Sequence, residues 1–171
     1  HAPSNWMTSI EAQAAADRLA QMSGMRHGVG FVLTANDPFF CVDIDDCATP
    51  TGWSPVANQI GSMLPGTVAE LSQSGRGLHL WGMRSKMPAH SMKNTELHLE
   101  LYHDRRFLLL GTDAIGQMSP DCVAIDAVAA GLGLVRIAHV PDGAKLASSS
   151  TAPGVVDPQD SGQIGPHVGD S

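Results

Sequence analysis

Phe39-Phe40-Cys41-Val42-Asp43-Ile44-Asp45 is the stretch on which the fold turns. Its apolar start suits an extended run inside a sheet, and its two aspartates stand two positions apart. In a strand, residues at that spacing face the same side, about 6.6–6.8 Å apart along it. Asp43 and Asp45 therefore project together while Ile44 points into the core. Two carboxylates on one face invite a divalent cation.

Upstream, Val29, Phe31 and Leu33 alternate with smaller residues, and Ala35-Asn36-Asp37-Pro38 supplies turn chemistry. This predicts a β-hairpin whose second strand carries Asp43 and Asp45 at its end. Further back, Thr8-Ser9-Ile10-Glu11 has the spacing of a capping box, with Ala-rich sequence running to Gly24, which predicts a helix from about Thr8 to Ser23.

Downstream, Ser54-Pro55 followed by Val56, Ile60, Met63 and Leu64 predicts a second helix ending near Pro65-Gly66. Extended segments are expected at Thr67–Leu71, Leu78–Met83 and Glu96–Tyr102, with Ser72 to Gly77 turning between the first two. Another returns at Phe107–Leu110 after His103-Asp104-Arg105. A last helix is predicted over about Asp121–Ala130, with Val123, Ile125 and Val128 buried. The order of elements indicates an α+β fold, helices packed on a mainly antiparallel sheet.

The 171 residues suffice for one domain with a real core, and a composition of 43% hydrophobic and 16% charged residues is globular. No apolar run approaches the roughly 20 residues of a membrane helix. After Pro141 the sequence turns to Ser, Gly, Pro and Asp without periodicity, so residues 1–140 are expected to form the core and 141–171 a disordered linker. The opening His1 suggests an excerpt lacking its true start, with no signal peptide. Three cysteines, none in a Cys-x-x-Cys pair, argue against a disulfide framework and for a reducing cytosol; a zinc site of Cys47 with His90 or His98 has no supporting spacing.

The net charge of −7 argues against a surface that grips nucleic acid everywhere, but it is unevenly spread. Residues 141–171 contribute −3 of it, and six of the nine basic residues in 1–140 fall between Arg76 and Arg106. A basic stripe beside an acidic centre is therefore feasible.

Phosphoryl transfer through two metals normally needs a third carboxylate. Glu100 is the candidate, an acid between Leu99 and Leu101 in a strand, although spacing alone favours a solvent-facing residue there. Asp46 is less suited, since it faces away from Asp45 if the strand continues. Ser74-Gly75-Arg76-Gly77-Leu78-His79 offers glycines, a guanidinium and an imidazole suited to a triphosphate, or else a plain hairpin turn; it is not a P-loop. Arg106 could meet a phosphate or template strand, and Trp53, Trp81 and Phe40 could stack on bases or fill the core.

Taken in order, these pieces resemble the bifunctional primase-polymerase family of phage and plasmid replication proteins, within the archaeo-eukaryotic primase superfamily. The resemblance runs from Trp6 to Leu134, through Gly28 to Thr34. Cys41-Val42-Asp43-Ile44-Asp45-Asp46-Cys47 resembles the first motif, Ser74 to His79 the second, and Leu99-Glu100-Leu101-Tyr102 with Arg106-Phe107 the third. Two positions depart from the pattern: Gly77, where the superfamily often has Ser, and Gly111-Thr112, where members commonly show Thr-Gly.

The resemblance implies an RRM-like catalytic core and a DNA primase or polymerase acting in DNA replication. Asp43, Asp45 and Glu100 would hold two Mg²⁺ or Mn²⁺ ions; His79 would be catalytic and bind nucleotide together with Ser74, Gly75, Arg76 and Arg106. Its partners would be a DNA template and primer, an NTP or dNTP, and a downstream or separate helicase, in the cytoplasm of a bacterial cell or phage-infected host. Two alternatives stay open: a catalytically silent DNA-binding domain of a replication protein, and a phosphohydrolase of the haloacid dehalogenase type, whose pattern typically has Thr or Val where Cys47 stands.

Overall fold

Thr8 caps a helix by reciprocal bonds: its hydroxyl accepts from Glu11 N, and Glu11 Oε2 accepts from Thr8 N at 2.8 Å. This helix, α1, spans Ser9–Ser23 and ends where Gly24 turns left-handed at φ 69°. Those are the bounds expected from the capping box. The computed structural model describes residues 3–134, within a first unit of His1–Ala138; the linker expected at 141–171 lies outside the described residues.

The strands are β1 (Gly30–Leu33), β2 (Phe39–Ile44), β3 (Ala48–Thr49) and β4 (Gly52–Trp53), followed after the second helix by β5 (Val68–Leu71), β6 (Leu78–Met83), β7 (Lys93–Asn94), β8 (Leu99–Tyr102), β9 (Arg106–Leu109) and β10 (Thr112–Gly116). The other helices are α2 (Pro55–Met63), capped by the Ser54 hydroxyl, and α3 (Ala124–Gly131). Six strands form the main sheet in the order β10-β5-β6-β2-β8-β7, with antiparallel pairing throughout. The fold is α+β with antiparallel sheets, as the order of elements predicts.

Pairing corrects two expectations. β1 and β2 do not form a hairpin, although Asp37 N does close a turn on Thr34 O at 3.0 Å. A strand has two hydrogen-bonding edges, and both edges of β2 are taken, by β6 and β8. β8 is likewise filled by β2 and β7, so β9 cannot fold back on it; Arg105, left-handed at φ 51°, redirects the chain. β1 and β9 pair with each other instead, from Gly30↔Leu109 to Leu33↔Arg106. Glu96 to His98 form a turn rather than the start of a strand. The two-residue strands β3, β4 and β7 lack the length for periodicity to reveal them, and β10, exposed throughout, has no buried face to alternate.

The two faces of the main sheet differ. On one, Val42, Ile44, Leu78, Leu80, Leu99 and Leu101 pack against Ala57 and Ile60 of α2 and Ile125, Val128 and Ala129 of α3. Val123, expected in this core, is 62% exposed: its backbone is already helical, and two residues before Ile125 it falls on the side of α3 away from the sheet. On the other face a smaller cluster of Leu33, Cys41, Trp81, Tyr102 and Leu108 joins the β1/β9 ribbon to the sheet. α1 buries little: Ala16 is its one buried residue, and Leu19 and Met22 are exposed. No helix among the described residues is long and apolar enough to cross a membrane.

Candidate functional site

Strand register sets five ionisable side chains in one line on the face away from α2 and α3. Glu70 of β5 stands opposite His79 of β6, His79 opposite Asp43 of β2, Asp43 opposite Glu100 of β8, and Glu100 opposite Lys93 of β7. Strands lie about 4.8 Å apart, so the row spans roughly 19 Å. Glu70 and His79 are buried, and the side chains of Asp43 and Glu100 are only 15% and 14% exposed.

Most neighbours along the row have complementary chemistry. His79 Nδ1 lies 2.9 Å from Glu70 Oε1, its Nε2 lies 3.5 Å from Asp43 Oδ1, and Lys93 Nζ donates to Glu100 Oε1 at 2.7 Å. The exception is Asp43 opposite Glu100, where like meets like, an arrangement that destabilises a sheet. Asp45 adds its charge from just beyond the end of β2, where its amide donates to His98 O at 2.9 Å. Burial pushes the Asp43 carboxyl above its ordinary value; His79 opposes that rise, Asp45 and Glu100 add to it, and Arg106 opposes it. Negative charge is thus concentrated where a cation would relieve it.

Asp43, Asp45 and Glu100 offer only oxygen donors, a set suited to Mg²⁺ or Mn²⁺. As the side chains stand, no three His, Cys, Asp or Glu among the described residues converge closely enough to hold an ion. Glu100 is occupied: besides Lys93, Arg106 Nη2 lies 3.6 Å from its Oε2, and that guanidinium sits 4.3 Å above the Tyr102 ring. Enclosing an ion therefore requires these side chains to draw together, with Glu100 Oε2 the oxygen not bonded to Lys93. Cys47 is a poor zinc ligand with His90 or His98, because it is buried, donates to Ile44 O at 3.1 Å, and has its thiol pushed up by burial.

The Ser74-Gly75-Arg76-Gly77 segment is the β5–β6 turn that precedes His79. Gly75 is left-handed at φ 72°, Ser74 Oγ lies 3.0 Å from Ser72 Oγ, and Arg76 N donates to Ser74 Oγ at 3.3 Å. Arg76 reaches across to Asp46 at 2.9 Å, both side chains well exposed. Asp46 itself is left-handed at φ 48°, so β2 does not continue through it. Gly77 sits in close packing: a Cβ there would meet Ser72 Oγ at 3.0 Å and Ile44 O at 3.1 Å, against the end of β2. Of the candidate stacking residues, Phe40 and Trp81 are buried and only Trp53 is partly open.

The register thus brings Asp43, Glu100 and His79 together, with Asp45 and Arg106 beside them, and leaves Ser74, Gly75 and Arg76 on the adjoining turn. Sequence reasoning missed Glu70 and Lys93. Glu70 carries the same signal that marked Glu100, an acid between apolar residues in an extended segment, Ala69-Glu70-Leu71. Lys93 lies on a two-residue strand with no periodicity to read. Compared with known proteins, the chain matches no family model and no curated protein.

Proposed function

We propose that the protein is a metal-dependent nucleotidyltransferase, a DNA primase or polymerase of the primase-polymerase kind. It would add NTPs or dNTPs to a DNA primer on a template during phage or plasmid replication, in the cytoplasm. In this reading the central strands β6, β2 and β8 belong to an RRM-like catalytic core. The observation that carries it is the juxtaposition of His79, Asp43 and Glu100 on three adjacent strands, with Asp45 at the end of the middle one.

Two bound Mg²⁺ or Mn²⁺ ions would supply activation of the attacking 3′-hydroxyl and neutralisation of the triphosphate. Asp43, Asp45 and Glu100 would hold them. His79 Nε2, already turned toward Asp43, would meet the phosphates at the edge of that site as the N–H of a doubly protonated ring. Lys93 and Arg106, which pair with Glu100, would bind phosphate oxygens once an ion took their place, and Arg76, paired with Asp46 on the adjoining turn, would be a further phosphate ligand. Their positive charge stabilises the charge that develops as the diphosphate leaves. A helicase, downstream or separate, would supply unwound template.

The ion pairs on Glu100 favour a second reading, a catalytically silent DNA-binding domain whose acids are structurally paired. Extension of a labelled primer by the purified chain with Mg²⁺ or Mn²⁺ separates the two, with an Asp43→Ala/Asp45→Ala control. Metal-dependent extension, absent in the control, is expected. DNA binding without metal-dependent nucleotide binding would overturn the proposal in favour of the silent domain.

A further inference from the structure

We propose that Glu70 is a positioning residue: its carboxylate locks the His79 imidazole with its proton on Nδ1, leaving Nε2 as the atom presented to the Asp43 site. The catalytic consequence rests on the nucleotidyl-transfer reading; the state of the ring does not.

Glu70 Oε1 receives three contacts: Trp81 Nε1 at 2.8 Å, Gly111 N at 2.8 Å and His79 Nδ1 at 2.9 Å. An indole N–H and a backbone amide can only donate. Oε1 is therefore an acceptor held from two other directions, and a ring nitrogen 2.9 Å from it must carry the hydrogen. His79 then has Nε2 left, 3.5 Å from Asp43 Oδ1, and that nitrogen donates toward the site only when the ring carries a second proton. Burial pulls the Glu70 carboxyl upward, but the bonds from His79, Trp81 and Gly111 outweigh it and hold the group below its ordinary value.

The surroundings are built for this arrangement. Gly111 packs so closely on β5 that a Cβ there would collide with Leu71 O and press on the Glu70 carboxyl carbon at 3.0 Å. Only glycine brings that amide to Oε1, which gives a physical reason for glycine before Thr112. Glu70 also lines a cavity of about 220 Å³ whose other walls include Phe31, Phe39, Val68, Trp81 and Leu110. Among the described residues no hydrogen bond reaches Oε2. Fixing a functional histidine through its second nitrogen is how outer groups tune a site, and their loss typically costs about 10–100-fold in activity.

The test combines nitrogen NMR of the ¹⁵N-histidine-labelled full chain, metal-free, with primer-extension kinetics. The His79 signals are assigned by difference from the His79→Gln spectrum. At a pH where the ring is neutral, the wild type is expected to show the proton on Nδ1, whereas free histidine prefers Nε2. Glu70→Gln keeps an oxygen acceptor and should preserve that signature, with kcat/KM for the nucleotide close to wild type. Glu70→Ala should lose the signature and drop kcat/KM for the nucleotide about 10–100-fold while leaving KM for the primer-template unchanged. General damage would move both substrates together. A wild-type proton on Nε2, an unchanged tautomer in Glu70→Ala, or a Glu70→Gln as impaired as Glu70→Ala would each overturn the proposal. Should Glu70→Ala fail to fold, the wild-type and Glu70→Gln spectra still decide. If the wild type extends no primer, the nucleotidyl-transfer reading falls and the spectra alone judge the role of Glu70.

Discussion

The two faces of the six-stranded sheet come from the same strands and differ by one residue of phase. In β2, Phe40, Val42 and Ile44 meet α2 and α3, while Asp43 faces the other way among His79 and Glu100. One face is stabilised by burial of apolar area; the other, beside its smaller apolar cluster, carries a row of ionisable groups in which one neighbouring pair, Asp43 and Glu100, sets like against like and costs stability. The difference is a division of labour: the apolar core supplies the free energy that lets the opposite face hold that one unfavourable pair. Four experiments break or sharpen it.

The largest effect is expected at Asp43. Asp43→Asn should reduce primer extension by about 10³-fold or more, equivalent to roughly 4 kcal/mol of transition-state stabilisation. In the metal-free protein the same change should raise the thermal midpoint at neutral pH. The folded carboxyl titrates above its ordinary value, so its favourable contribution exists only at low pH and is lost as pH rises through the folded value; asparagine removes that penalty. Calorimetry beside the extension assay checks both signs. A stability loss as large as that of a core truncation would refute the division between the faces.

Leu101, fully buried on the apolar face beside Glu100, gives the reciprocal case. Leu101→Ala should cost about 2–5 kcal/mol in unfolding free energy by denaturant titration. At a temperature where the variant is still folded, its metal requirement should be unchanged.

A smaller effect is expected at Lys93. Lys93→Ala removes the ammonium that occupies Glu100 Oε1, so the Mn²⁺ concentration for half-maximal metal binding in the absence of nucleotide should fall severalfold. A rise would mean that Lys93 organises the acids rather than competing for them. The smallest effect concerns acid stability. Glu70 is held below its ordinary value, so its contribution is present above the unfolded value of about 4.3 and disappears as pH falls through the lower folded one. Glu70→Gln should flatten the unfolding free energy against pH below about pH 5, measured by denaturant titration at several pH values.

Much of the local structure was legible because its signals are local. Thr8 with Glu11 and then Gly24 marks both ends of α1, Ser54-Pro55 opens α2, and Leu78–Met83 matches β6 residue for residue. The partner of β1 was not legible. The Ala35 to Pro38 turn looks like a hairpin, and alternation says that a strand has two faces without saying which strand lies beside it. Competition for the edges of β2 settled the pairing, and that competition involves strands remote in sequence. Glu70 went unread for the same reason, since its importance comes from His79, Trp81 and Gly111.

By itself the sequence determined that Asp43 and Asp45 stand at the end of an apolar strand, that Glu100 and His79 sit on strands of their own, and that helices pack on a mainly antiparallel sheet. These follow from periodicity, capping and turn chemistry, which act over a few residues. Only the tertiary structure decided that His79, Asp43 and Glu100 stand in one row, that Glu70 and Lys93 close its two ends, and that Glu100 is held by Lys93 and Arg106. The reason is register: hydrogen bonding between strands selects which residues face one another, and sheet order is set by which edges remain free once the apolar face is buried.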